Sequence, residues 1–163
     1  MSLRDAWEEQ AHAWAAWARE PQHDSFWYFG LPNLLDVLPP PGGRTLDVGC
    51  GEGRAPRELT ARGYKVVGVE ASPTLARLAA EHEQPTPVAN GDAAALPVAS
   101  GSVDLVVASM TLQDVDDMPG AVAEIARVLA PGGRFVASVV HPINSVGWFE
   151  SDEPTSPFVI TDS

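Results

Sequence analysis

Lysine is almost absent from this chain: Lys65 stands alone, and 10 Lys and Arg face 22 Asp and Glu, a formal net charge of -12. A general nucleic-acid surface displaces counterions with clustered cations, so this shortage argues against one. Cysteine occurs once, at Cys50, which leaves no internal disulfide and fits a reducing compartment; cytoplasm is expected. No apolar run approaches the roughly 18 to 20 residues of a membrane span. The first ten residues are acidic rather than basic and then apolar, so no secretory leader is expected. His12, His23, His82 and His141 lack ligand spacing with one another or with the acids, so no metal site is expected. Repeats and low-complexity tracts are missing as well.

What remains is enough for one domain, since a chain of 163 residues buries roughly 68–70 % of its unfolded surface without a bridge or a metal. It is organised around residues 45–54, T-L-D-V-G-C-G-E-G-R, which read as a buried strand, a tight loop and a helix start. Gly49, Gly51 and Gly53 permit positive φ and close approach of a ligand. The free N–H groups of the helix that follows point back at the same loop and favour an electron-rich group there. Cys50, inside the loop, reads as a small buried residue rather than a reactive thiol. A dinucleotide fingerprint requires a third glycine where Arg54 stands, which disfavours a nicotinamide-dependent oxidoreductase.

The remaining pattern alternates strands with helices. Residues 3–19 form an amphipathic helix whose Trp7, Trp14 and Trp17 share one arc, packing on the domain or covering its cleft. Residues 25–38 hold the aromatic cluster Phe26, Trp27, Tyr28 and Phe29, suited equally to core or pocket, before a short apolar helix. Residues 39–43 are a stiff Pro/Gly linker. A helix over 55–62 stops at Gly63. Residues 64–70 read as a strand buried on both faces through Val66, Val67 and Val69. Ser72 and Pro73 cap and open a helix lasting to about residue 83. Strands follow at 87–90 and 103–108, then a helix with Val122, Ile125, Ala126 and Leu129 on one face, ended by Pro131, Gly132 and Gly133. A fifth strand covers 134–140. The expected fold is α/β: a doubly wound, Rossmann-like parallel sheet with right-handed crossovers. Its boundaries are a helical cap and linker over 1–43, an α/β domain over 44–142 and an irregular tail over 143–163.

In such a sheet the ligand lies beyond the carboxyl ends of the strands. Glu70 ends the second strand about twenty residues past Gly49, the spacing at which an acid accepts both ribose hydroxyls; such charge-assisted bonds contribute about 1.5–3 kcal/mol each.

With Asp47 ahead of it, the loop has the form acid-x-G-x-G-x-G and resembles the first motif of the class I S-adenosylmethionine-dependent methyltransferases. The helix and turn E-I-A-R-V-L-A-P-G-G-R-F resembles a later motif of the small-molecule members, so the likeness runs over residues 45–140. It implies S-adenosylmethionine as cofactor, strand order 3-2-1-4-5, and a cofactor site of Asp47, Gly49, Cys50, Gly51, Gly53, Glu70, Ala71, Asp92, Ala93 and Ser109. In that resemblance Asp92 meets the adenine amino group, Ala71 and Ala93 flank the ring, and Ser109 and Met110 lie near the methyl group, with Gln113 and Asp114 following in the loop. The Asn/Asp-Pro-Pro-aromatic motif of the enzymes that methylate exocyclic base amines is absent, so a small-molecule acceptor is expected. His141, past the fifth strand, is a candidate base where the acceptor must lose a proton; Tyr28, Gln113 and His141 are the side chains to look for beside the acceptor.

The family's fold adds a sixth and seventh strand as an antiparallel hairpin, which this chain lacks or does not show, the run 158–160 being its sole strand-like segment past residue 142. Two expectations follow. A non-catalytic module that binds S-adenosylmethionine or a nucleoside is the alternative to an enzyme. The fifth strand becomes an apolar sheet edge, so the chain is either part of a longer polypeptide or self-associates there.

Overall fold

The valine-rich runs pair into one parallel sheet in the computed structural model, which describes residues 2–20, 25–140, 147–151, 156 and 158–160. The strands are β1 (Arg44–Val48), β2 (Lys65–Glu70), β3 (Val88–Asn90), β4 (Val103–Ser109) and β5 (Leu129–Ser138). Their order is β3-β2-β1-β4-β5, as the sequence implied. Central β1 pairs with β2 (Asp47 opposite Gly68, Val48 opposite Val69) and with β4 (Asp47 opposite Val107). The chain therefore winds one way from β1 to β3 and the other from β4 to β5, and the crevice at this switch point opens above Val48.

Helices cover the two faces unequally. On one face Leu59 of α3 (Arg54–Ala61) and Leu34 of α2 (Leu31–Val37) pack on Val66, Leu105 and Val107. On the other, Ala121, Ile125 and Val128 of α5 (Met118–Val128) pack on Leu46, Val48 and Val106. Ile125 is buried as expected, but Ala121 and Val128 flank it in place of the expected Val122 and Ala126, which are exposed. Asp117 fixes this phase by accepting the Gly120 N–H at 2.9 Å as N-cap.

Three further differences have local causes. The 91–102 connection contains no helix, so the sheet beneath it is bare on that side and Val67, expected to be buried, is 45 % exposed. Arg127 holds this connection instead, donating to the carbonyls of Val98 (2.9 Å) and Leu96 (3.0 Å) while Glu124 accepts the Leu96 N–H at 2.8 Å. Helix α4 (Pro73–Ala80), capped by Ser72 as expected, stops short of residue 83 because the chain enters a stretch punctuated by Pro85 and Pro87. Pro131, Gly132 and Gly133 do not end α5: the chain passes straight into β5 at Leu129, and these residues form an irregularity within the strand between the pairs Val103–Leu129 and Leu105–Arg134.

The N-terminal segment places α1 (Leu3–Arg19), with a capping box between Ser2 and Asp5, against α4 through Ala11, Ala15 and Leu75. Residues Phe26–Gly30 form one π-helical turn leading into α2. In the tail, expected to be irregular, Gly147–Phe149 (β6) pairs antiparallel with Phe158–Ile160 (β7) in a separate two-stranded sheet. Only the second of these two runs reads as a strand in the sequence.

Candidate functional site

The crevice begins where β1 runs out. Gly49 and Cys50 both donate their N–H to the Val69 carbonyl (2.8 and 3.2 Å), which bends the loop over the end of β2. Gly49 has φ +71, and a Cβ there would lie 2.2 Å from Thr111 Cγ2, so glycine is required for both conformation and space. At Gly51, φ +58, a Cβ would face the crevice with only Trp14 Nε1 at 4.0 Å. Cys50 is buried, packed beside Gly68, and burial pushes its thiol pKa well up, which matches a packing role rather than a nucleophile.

Two carboxyls lie under this loop. Glu70 accepts the Gly51 N–H through Oε2 and the Ser72 N–H through Oε1, both at 2.8 Å, so its orientation is fixed by backbone. Burial raises its pKa above the usual carboxylate range despite these bonds. Asp47 is 1 % exposed, and its Oδ1 has no hydrogen-bond partner. Burial first, and the neighbouring Glu70 second, push its pKa up to about 8. A buried carboxyl oxygen without a partner is costly, and here it lines the crevice.

The crevice is a cavity of about 1040 Å³. Asp47, Gly49, Cys50, Gly51, Glu70, Ala71, Asp92, Ala93 and Ser109 all line it; Gly53 does not, and instead serves as the left-handed N-cap of α3 with φ +90. Asp92 Oδ1 accepts the Ala94 N–H at 2.8 Å, so it shapes its own turn at the cavity edge. Asn90 donates to the carbonyls of Glu70 (2.9 Å) and Ala71 (3.0 Å), holding the β2 end against β3. Met110 takes φ +57, a strained value for a side chain other than glycine, at the β4 end, and its carbonyl accepts from Gln113 Nε2 at 2.8 Å. Gln113 lines the cavity as expected, whereas Tyr28 is exposed and is not part of the wall; its neighbours Phe26 and Phe29 are. His141 lies outside the described residues.

Helix α1 covers the cavity with Trp7, Trp14 and Trp17, so the tryptophan arc faces the cleft while alanines make the packed row. Three acids fasten it. Asp116 Oδ1, beyond β4, accepts the Leu3 N–H at 2.8 Å at the start of the helix. Glu8, midway, accepts from Ser72 Oγ (2.5 Å), Thr74 Oγ1 (2.6 Å) and the Thr74 N–H (3.1 Å), which holds its pKa below the usual value. Glu52, 1 % exposed, pairs with Arg19 Nε (2.9 Å) at the helix end and with Arg57 Nη2 (2.6 Å). The Arg54 guanidinium lies 4.2 Å from the Phe26 ring centroid and 5.3 Å from that of Trp14, beneath the same roof. Sequence reasoning assigned no role to Glu8, Glu52, Arg54 or Asp116. The one signal available was acids and arginines clustering around a glycine loop.

Comparison with known proteins agrees with this architecture. The profile of the family described as "Methyltransferase domain" matches residues 46–137, and the chain belongs to that family, the class I S-adenosylmethionine-dependent methyltransferases. Among curated relatives it is 38 % identical over 113 residues to the biotin biosynthesis bifunctional protein BioHC of Cellvibrio japonicus, covering 68 % of this chain and 22 % of that protein. It is 35 % identical over 111 residues to the demethylmenaquinone methyltransferase of Corynebacterium kroppenstedtii, covering 68 % of this chain and 47 % of that one. The chain thus spans less than half the length of these relatives. Among solved structures, a methyltransferase of Thermotoga maritima described as a possible histamine N-methyltransferase superposes with TM-score 0.71 at 27 % identity, over 86 % of this chain and 63 % of its own. An S-adenosylmethionine-dependent methyltransferase of Mesorhizobium loti gives 0.69 at 29 %, over 85 % and 65 %.

Proposed function

We propose that this chain binds S-adenosylmethionine in the crevice above β1 and transfers its methyl group to a small-molecule acceptor. The observation that supports this best is the Glu70 carboxylate, buried at the end of β2 and aimed by two backbone N–H groups at the floor of a cavity roofed by aromatic rings. Glu70 would accept the ribose hydroxyls with the lone pairs its backbone bonds leave free. Asp92 would take the adenine amino group between Ala71 and Ala93. The Gly49 to Gly53 loop admits the chain of the donor closely at Gly51, with Cys50 as filler. The unpartnered Asp47 Oδ1 supplies an acceptor near the amino-acid end, and Ser109 lies toward the methyl group.

The donor supplies a sulfonium methyl with a good leaving group. What the residues must do is align an acceptor and keep water out, and positioning alone contributes about 7–11 kcal/mol. The tryptophans of α1 serve the exclusion, and the β4 and β5 ends serve the alignment. Where the acceptor must lose a proton, His141 is the candidate base. The cytoplasm suits this chemistry and the free Cys50; among the described residues no helix is long and apolar enough to cross a membrane, and no cluster of metal-ligating side chains occurs.

Calorimetry with S-adenosylhomocysteine is expected to show saturable binding that weakens at least tenfold in Glu70→Ala, in line with loss of a charge-assisted bond of about 1.5–3 kcal/mol. Absence of heat from folded wild-type protein refutes donor binding. Binding without transfer of labelled methyl to any metabolite extract would move the chain to the non-catalytic module.

A further inference from the structure

We propose, building on the methyl-transfer reading, that the acceptor is an uncharged, mainly apolar molecule whose one polar group meets the paired hydroxyls of Ser109 and Ser138. The cavity, at about 1040 Å³, lies at the top of the roughly 300–1,000 Å³ range of single-ligand pockets, which leaves room for an acceptor beside a nucleoside donor. Its two halves differ in chemistry. The half above the glycine loop holds Asp47, Glu52, Glu70 and Asp92. The half between α2 and the carboxyl ends of β4 and β5 is walled by Phe29, Asn33 and Val37 from one side and Ser138, Val139 and Val140 from the other. Among the described residues this wall carries no charge.

Its apolar groups are also unusually open. Phe29 is 66 % exposed, Val37 61 % and Val139 53 %, so large hydrophobic side chains line a concavity without burying one another. Apolar surface gathered in a concave site marks a ligand rather than a fold requirement. The serines sit opposite each other in the β4–β5 register with their Oγ atoms 3.2 Å apart. One hydroxyl proton is used within the pair, so the other, with the remaining lone pairs, can face a hydroxyl or neutral N–H.

Most of the cavity's other charges are engaged elsewhere, and Arg4, in the first turn of α1, lines the cavity outside the α2–β5 wall. Arg54 stacks on Phe26 and Trp14, Glu52 is held by Arg19 and Arg57, and Asp116 accepts from the first turn of α1. Asp114, whose carboxyl pKa is raised by burial, sits on the facing loop after β4 rather than on this wall. An anion or cation placed against the α2–β5 wall would lose its water without gaining a counterion from that wall.

The test is calorimetry of the full chain, free and saturated with S-adenosylhomocysteine, against three probes that share one ring: 2-naphthol, 2-naphthoate and 2-naphthylmethylammonium. Naphthol is expected to bind at least tenfold tighter than either charged probe. Val139→Asp, a change at an exposed position, should weaken naphthol at least tenfold while S-adenosylhomocysteine binds as before. Replacing the hydroxyl tests the serines: wild type should prefer 2-naphthol to 2-methylnaphthalene severalfold, and Ser138→Ala should erase the preference. The proposal is overturned if a charged probe binds as well as naphthol, or if naphthol binds neither form. Failure of S-adenosylhomocysteine alone overturns the donor reading, and the naphthol series on the free chain then still scores the wall.

Discussion

Asp47 illustrates what one residue in a low-dielectric site does to the whole chain. Its carboxyl titrates near 3.8 when unfolded and at about 8 in the fold. Between those values the folded state keeps a proton that the unfolded chain releases, so the group's contribution is fully present below about pH 4. It is lost as pH rises toward 8, at up to about 1.4 kcal/mol per pH unit. Asp47→Asn should therefore flatten the decline in urea midpoint between pH 5 and 8, and identical slopes for the two proteins would contradict the assignment. Asp47 was legible in the sequence from the acid-x-G-x-G-x-G form of the loop, and Glu70 because it ends a valine-rich strand about twenty residues past Gly49. Glu52 was not, because it occupies a variable position of that motif. Its burial is decided by Arg19, 33 residues earlier, and by Arg57 five residues later, and no local pattern reports such a meeting.

Among the elements, α1 was legible to the residue while its role was not: the 3.6-residue period shows which side chains share an arc, but not which arc meets the domain. Alanine won the packed face because it lets the helix backbone approach α4, leaving the bulky rings to the cavity. Glu52→Gln is expected to destabilise the protein by roughly 3–5 kcal/mol in urea denaturation, since Arg57 is left almost buried without its counterion. Glu8→Ala removes three acceptor contacts from an outer helix and should instead raise amide hydrogen exchange in α1 severalfold while leaving β1 and β4 protected. Equal loosening of the sheet would show that α1 is not a separable cover. The phase of α5 follows its Asp117 cap, whereas the unexpected exposure of Val67 comes from the absence of a helix over 91–102. Periodicity records potential burial, and the covering element has to exist for it to be realised.

For the molecule as a whole, the alternation of strands and helices gave the parallel sheet, and strand order was readable because the resemblance carried by the glycine loop implies it. The tail was not, since three-residue strands carry too little pattern. Among the described residues β5 pairs only with β4 in the main sheet, and Phe135 is exposed on it, with Val139 and Val140 exposed just past its end. Unless further chain of a longer polypeptide covers that edge, the protein is expected to self-associate through it as concentration rises, and Phe135→Lys should then reduce the apparent mass in light scattering; a concentration-independent monomer of this chain with the edge open would refute this. The fastening of α1 has a further consequence for how the molecule is assembled in time. The bond from Leu3 to Asp116 closes a loop of 113 positions, and that from Ser72 to Glu8 one of 64. Closure entropy makes such distant pairings late events, whereas β1, α3 and β2 meet one another within a short stretch of chain. Helix α1, although it precedes the sheet in the chain, is thus among the last elements to dock, and folding passes through a stage in which the glycine loop is already shaped while its aromatic roof is still open to solvent.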